Sequence, residues 1–200
     1  MKKIFTLIAA AVLAISAQAQ IVSSRSVNYE SGDNFTRWYL SYSNFGLTPS
    51  EGDGVSFSGV RLGWMDGIRL SSSSPVFLEV GVNGQYNAGS EGYYDYTFLK
   101  FSVPVSASYK YNFTNDFAIM PHAGLHFDGN VLGKAELKSG KGKEDFLDEG
   151  DGNRFQMGWQ LGAGIVYKKL YVGVEYSHSI IEYMKNVSTH DFYVNLGVQF

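Results

Sequence analysis

The sequence predicts an all-β protein, an antiparallel up-and-down β-barrel of eight strands that crosses a membrane. Three observations carry that expectation. The chain opens with a secretory signal, and period-two alternation recurs through the remainder with no sustained i, i+3, i+4, i+7 spacing. The third is the ending: residues His190 to Phe200 put Phe192, Val194, Leu196, Val198 and Phe200 on one face and stop at an aromatic. A soluble domain would have to cover that stripe although chain ends tend to be exposed. A strand facing lipid has no such difficulty, and ten residues at about 3.3 Å each, tilted by roughly 40°, cover ~25 Å, the apolar height of an outer-membrane barrel.

The signal reads Met1-Lys2-Lys3, an apolar run from Ile4 to Ile15, and the small-residue site Ala17-Gln18-Ala19. The run is too short for a spanning helix, which needs about 20 residues. Residues 1–19 are therefore expected to be cleaved, 20–36 to form a periplasmic lead-in, and 37–200 to form the barrel. With Lys2 and Lys3 removed, 14 basic and 19 acidic residues remain, and a mildly acidic chain without a basic patch excludes nucleic acid as a partner. The chain has no Cys, so there is no disulfide framework, no thiolate metal site and no lipid-anchored N-terminus. Stability has to come from strand pairing and burial.

Each strand follows from its alternation. The first, Arg37 to Phe45, sets Trp38, Leu40 and Tyr42 against Tyr39, Ser41 and Ser43. The second, Val55 to Met65, sets Val60, Leu62 and Trp64 against Gly59, Arg61 and Gly63. The third, Val76 to Tyr86, opposes Leu78, Val80 and Val82 to Glu79, Gly81, Asn83 and Gln85. The fourth, Tyr96 to Phe113, alternates Leu99, Phe101, Val103 and Val105 with Lys100, Ser102, Pro104 and Ser106, and Pro104 is read as a bulge. The fifth, Phe117 to Phe127, puts Met120, His122, Gly124 and His126 on one face. The sixth, Asn153 to Tyr167, opposes Phe155, Met157, Trp159 and Leu161 to Gln156, Gly158, Gln160 and Gly162. The seventh, Leu170 to Ile180, opposes Val172 and Val174 to Gly173 and Glu175, and the eighth is the terminal strand.

Short turns at Thr114 to Asp116 and Lys168-Lys169 alternate with longer polar connections at Gly46 to Gly54, Asn87 to Asp95, Asp128 to Gly152 and Ile181 to Thr189, the loop asymmetry of outer-membrane barrels. Asp66 to Pro75, a ten-residue connection on the short-turn side, fits less well. Aromatics should gather at both headgroup layers. Trp38, Trp64, Tyr109, Tyr111, Phe117, Tyr167 and Phe200 fall toward the short-turn end. Phe45, Phe57, Tyr86, Tyr93, Tyr94, Tyr96, Phe127, Phe155, Tyr183 and Phe192 fall toward the long-loop end.

The second face decides which side looks into lipid. It is mostly Gly, Ser, Asn and Gln with isolated charges, whereas a water-exposed exterior carries many charges of both signs. Small residues suit the lumen of an eight-stranded barrel, which its own side chains just fill. Buried charges need partners, so Arg61, Glu79 and Glu175 are expected to form a lumenal network, with Lys100, Arg154 and the histidines nearer the outer end.

The signal peptide, the segments Leu99 to Phe113 and Gly158 to Ser179, and the FYVNLGVQF terminus resemble the small outer-membrane β-barrel proteins, the porin-like family that includes outer membrane protein X and the transmembrane domain of outer membrane protein A. The resemblance implies an outer-membrane monomer without a cofactor, in contact with outer-membrane lipid and lipopolysaccharide. It also makes Phe200 the assembly signal read by the barrel assembly machinery. An extracellular ligand at the outer loops would fit a structural or surface-interaction role. A narrow channel for ions or small solutes is the alternative, and a secreted ligand-binding barrel a third reading.

Some barrels of this kind are lipid A-modifying hydrolases that use a His-x-Ser pair and a carboxylate. Here Ser177 and Ser179 flank His178 directly, and adjacent strand residues point to opposite faces, so no enzyme is predicted. The acidic end of the Asp128 to Gly152 loop lacks calcium-loop spacing. His122 and His126 lack a third metal ligand.

Overall fold

The computed structural model describes residues 34–71, 73–140, 142–147 and 152–200. The predicted signal peptide and most of the predicted lead-in lie outside them. The strands are β1 (Phe35–Pro49), β2 (Val55–Ser71), β3 (Ser74–Glu91), β4 (Tyr94–Tyr109), β5 (Tyr111–Asn112), β6 (Phe117–Leu137), β7 (Lys143–Asp145), β8 (Phe155–Tyr167), β9 (Leu170–Ser179) and β10 (Val187–Gln199). Eight of them close an antiparallel ring in chain order, β1-β2-β3-β4-β6-β8-β9-β10, with β10 paired back onto β1. The short β5 and β7 both pair with β6. The ring is sealed at its inner end by reciprocal bonds: the Thr36 amide donates to the Phe200 carbonyl at 3.1 Å and the Phe200 amide to that of Thr36 at 2.9 Å.

One row of cross-strand partners runs Thr36, Asp66, Val80, Val105, Leu125, Trp159, His178, His190 and back to β1 at Gly46. It returns ten residues from its start, a shear of ten over eight strands, and such stagger tilts the strands against the barrel axis. Alternation then divides the residues as the sequence predicts. Trp38, Leu40, Val60, Leu62, Leu161, Val172, Val194 and Leu196 stand exposed outside, while Ser41, Arg61, Asn83, Ser106, Gln160 and Asn195 are buried within.

Several expectations need correction. The connection after the second strand is two residues, 72 and 73, because β2 runs on to Ser71. Asp66 is no turn residue: it pairs with Val80 and accepts the Thr36 hydroxyl at 2.7 Å. On the outer side, the connections after β1 and β3 shrink to 50–54 and 92–93. The strands rise above the lipid there, with polar Thr48, Ser56, Ser58 and Ser90 facing outward. Hydrophobic alternation stops at the membrane edge, whereas the hydrogen-bonded ladder continues beyond it.

Pro104 marks no bulge. The β3–β4 pairing lapses between Val80–Val105 and Asn83–Ser102 and resumes in the same register, as suits a residue without an amide hydrogen. The bulge lies on β6, where Leu99 pairs with Leu132 but Lys100 with Asn130, leaving Val131 extra. That residue reverses the parity, so Asp128 and Asn130 point inward below it and Gly133 and Ala135 above it. Phe45, Phe57 and Tyr183, expected in the outer aromatic girdle, are buried inside.

Candidate functional site

The inner end of the lumen is closed by Phe35, Phe77, Met120, Val166 and Tyr171, together with Ala118, all carried on strands. The Tyr171 ring lies against the β8 wall where Gly164 leaves room, since a Cβ there would overlap it. Above it the Arg37 guanidinium stacks 3.8 Å from the Tyr171 centroid and 4.9 Å from that of Phe35. Arg37 reaches Glu79 at 3.5 Å and donates twice to Gln199 Oε1, at 2.9 and 3.1 Å.

The middle layer centres on Arg61. Its Nη1 lies 2.7 Å from Glu175 Oε1, Nη2 donates to Asn195 Oδ1 at 2.9 Å, and its plane rests 3.4 Å from the Tyr193 centroid. His122 Nε2 lies 3.4 Å from the other Glu175 oxygen. One level higher, Lys100 Nζ is 2.7 Å from Asp191 and 3.5 Å from Asp128, and His126 Nδ1 is 3.1 Å from Asp128. Gln85 donates to Asp191 at 2.7 Å while accepting the Tyr193 hydroxyl at 2.8 Å. Three permanent cations thus face four carboxylates, with two imidazoles beside the acids. Every one of these groups is buried and has an opposite partner, the condition on which charges survive away from water.

An outer apolar layer covers the charges: Phe45, Leu47, Phe57 and Phe98 from strands, and Leu147 and Tyr183 from the two long connections. Phe98 packs on Phe45 at 4.9 Å and Phe57 at 5.2 Å, with Tyr183 edge-on at 6.2 Å. The Tyr183 hydroxyl has no hydrogen-bond partner among the described residues, and burial pushes this phenol above its ordinary range. Between the layers a space of about 10 Å³, bordered by Arg61, Asn83, His126, Gln160 and Tyr193 among others, holds at most one water.

Among the residues singled out in the sequence, the fold brings Arg61 and Glu175 together, but Glu79 pairs with Arg37 instead. Lys100 joins the layer above. Arg154 stands apart from it, ahead of β8 at the outer end, with Nη2 donating to the Leu147 carbonyl at 3.4 Å. Arg37, Asp128 and Asp191 were missed, although alternation marks them: Arg37 shares the parity of Tyr39, Asp191 that of Tyr193, and Asp128 that of His126. Phe200 is exposed beside Lys169, whose Nζ lies 5.2 Å from its ring centroid. Ser177 and Ser179 donate inward, to Asp191 at 3.5 Å and the Thr189 carbonyl at 3.1 Å. His178 faces outward against Trp159 at 6.0 Å, so neither serine can exchange a proton with it.

The model of the outer membrane protein beta-barrel domain matches residues 5–200. No curated protein matches the chain. Among solved structures it is similar to Neisserial surface protein A, at 14% identity over 84% of this chain and 96% of that one, with a TM-score of 0.56. It is also similar to Ail, the attachment invasion locus protein of Yersinia pestis, at 11% identity over 84% and 99% with a TM-score of 0.51. A second structure of Ail is a complex with the heparin analogue sucrose octasulfate. The outer membrane enzyme PagL is similar at 14% identity over 80% and 98%, with a TM-score of 0.53. At such identities the likeness is one of fold.

Proposed function

We propose, for a chain that belongs to the outer membrane protein beta-barrel domain family and so resides in the outer membrane, that it is a non-conducting barrel with a structural or surface-interaction role. Its lumen serves as a folded core, and its outer end meets partners. The observation that carries this reading is the filling of the lumen: two apolar layers enclose paired charges, and the cavity that Arg61, His126 and Tyr193 border between them is about 10 Å³. An aqueous pathway needs a far wider ring, of about sixteen strands.

The alternative, a narrow channel, draws on the polar middle layer, through which ions would have to displace Arg61 from Glu175. Planar-bilayer recording of the refolded protein separates the two. The expected trace is flat. Reproducible current steps that change when Arg61→Gln or Glu79→Gln is introduced would replace this reading with the channel.

Among the described residues of the outer rim, exposed Glu51, Asp53, Glu91, Asp95, Glu136, Glu144 and Glu182 outnumber exposed Lys138 and Lys185, which favours a neutral or cationic extracellular ligand over a polyanion such as the one Ail holds. At the inner end, Phe200 is the proposed signal for the barrel assembly machinery, and Phe200→Ala is expected to lower the outer-membrane level of the protein. Unchanged levels in fractionated membranes would remove that role.

A further inference from the structure

Strands β3, β4 and β6 continue past the outer apolar layer, with β7 alongside β6. Ser90, Asp95 and Glu136 form one cross-strand row on the outward side of this wall and are exposed, so the wall stands in water. The other side continues the lumenal face, with Asn87, Phe98 and Gly133 buried at its base. One level up, Gly89, Tyr96, Ala135 and Glu144 are successive partners, and above them Glu91 pairs with Tyr94. Residues directly opposite share a face, so Glu91 and Glu144 flank the two tyrosines from the neighbouring strands.

The Tyr96 centroid lies 5.1 Å from that of Phe57, 6.2 Å from that of Tyr94 and 6.4 Å from that of Phe146. Gly89 and Ala135 on either side of it are small. Tyr96 is half-buried, and Tyr94, Glu91 and Glu144 are exposed. Partial burial pushes the Tyr96 phenol above its ordinary range, and Tyr94, Glu144 and Glu91 add to that push, which places the ring in the field of both carboxylates. Lys134 lies 3.7 Å from Asp145 and Lys138 donates to the Gly92 carbonyl at 3.0 Å, so neither neutralises Glu91 or Glu144.

The lumen of the same barrel shows twice what a tyrosine beside a carboxylate holds. Arg37 rests 3.8 Å from the Tyr171 centroid and reaches Glu79, and Arg61 rests 3.4 Å from that of Tyr193 and reaches Glu175. A planar guanidinium stacks on a ring and donates to a carboxylate at once, which a compact ammonium does less well.

We propose that this face of the rim docks an arginine side chain of an extracellular partner protein, with the guanidinium on the rings of Tyr94 and Tyr96 and its donors toward Glu91 and Glu144. The proposal rests on the reading that the outer rim meets a cationic partner, and it gives that partner a residue type and a place.

The test uses the full barrel in nanodiscs of phosphatidylcholine, which has no net charge to attract a peptide. The probe is a labelled peptide with two arginines in a glycine-serine background, followed by fluorescence anisotropy. Its lysine and citrulline counterparts are expected to bind about tenfold more weakly. Tyr96→Leu and the pair Glu91→Gln/Glu144→Gln should each weaken the arginine peptide about tenfold. The pair Glu51→Gln/Asp53→Asn removes the same charge elsewhere on the rim and should change binding by less than about twofold. Folding of each variant is checked by heat-modifiable gel migration. Equal binding of the lysine peptide, unchanged binding in both site variants, or equal weakening by the two charge pairs would each overturn the proposal and leave the cationic preference of the rim standing. Tighter binding of sucrose octasulfate than of the arginine peptide would overturn that preference itself, and the proposal with it.

Discussion

The two ends of the lumen are closed by different means. At the inner end every ring and side chain of the apolar layer sits on a strand, and Tyr171 is locked between the β8 wall at Gly164 and the Arg37 guanidinium. At the outer end two of the six core members come from connections. Tyr183 is held through its backbone, which accepts the Asn153 amide at 2.6 Å and donates to Val187 at 2.8 Å, while its hydroxyl is left without a partner. Residues on a closed ladder cannot leave without breaking neighbouring pairs, whereas a connection can shift alone. The difference teaches that equal burial does not mean equal stability: Tyr171 and Tyr183 are equally hidden, yet only one is fixed by its surroundings.

Substitutions can break or sharpen that contrast. The largest effect is expected in the layer both ends enclose. Arg61→Ala leaves the buried Glu175 carboxylate with the His122 imidazole in place of its guanidinium partner and should cost about 3–5 kcal/mol, whereas Arg61→Met combined with Glu175→Met should restore most of it, both read from urea unfolding in micelles. Tyr171→Ala is expected to cost about 3–5 kcal/mol, in the range of a buried aromatic deletion. Tyr183→Ala should cost about half as much, since the outer connection relaxes into the space. Equal losses for the two tyrosines would end the comparison. The smallest expected effect is the most telling: Tyr183→Phe should be neutral or stabilising by up to about 1 kcal/mol, because it deletes a buried hydroxyl without a partner, and a clear loss would mean that this hydroxyl is satisfied.

Much of this was legible in the alternation. Parity alone assigns Leu40 and Leu196 to lipid and Arg61 and Glu175 to the lumen, because the side-chain period of a strand is two whatever it packs against. Four things were missed. Phe45 and Phe57 were placed by height near the headgroups, although their parity, shared with Ser43 and Arg61, puts them inside. The extra residue at Val131 shifts parity between two glycines, Gly129 and Gly133, that do not show which residue is unpaired. Partner choice in the lumen also depends on stagger around the ring: a shear of ten carries Glu79 to Arg37, leaving Glu175 to Arg61. The end of β3, Asn87 to Glu91, looks like a loop because only small and polar residues mark its ladder, and in β1 the lone inward Leu47 sits among Gly, Thr and Pro.

The central claim is that water does not reach the middle of this barrel, and the absence of Cys from the chain makes it directly measurable. Ser106 is buried on the lumenal wall and accepts Gln160 Nε2 at 2.7 Å, so Ser106→Cys places one thiol at the centre. Ser58→Cys places another on the exposed outer wall as a control. With a small water-soluble thiol reagent, the thiol at 58 is expected to react at once and that at 106 only after unfolding. Comparable rates in the folded barrel would contradict the account.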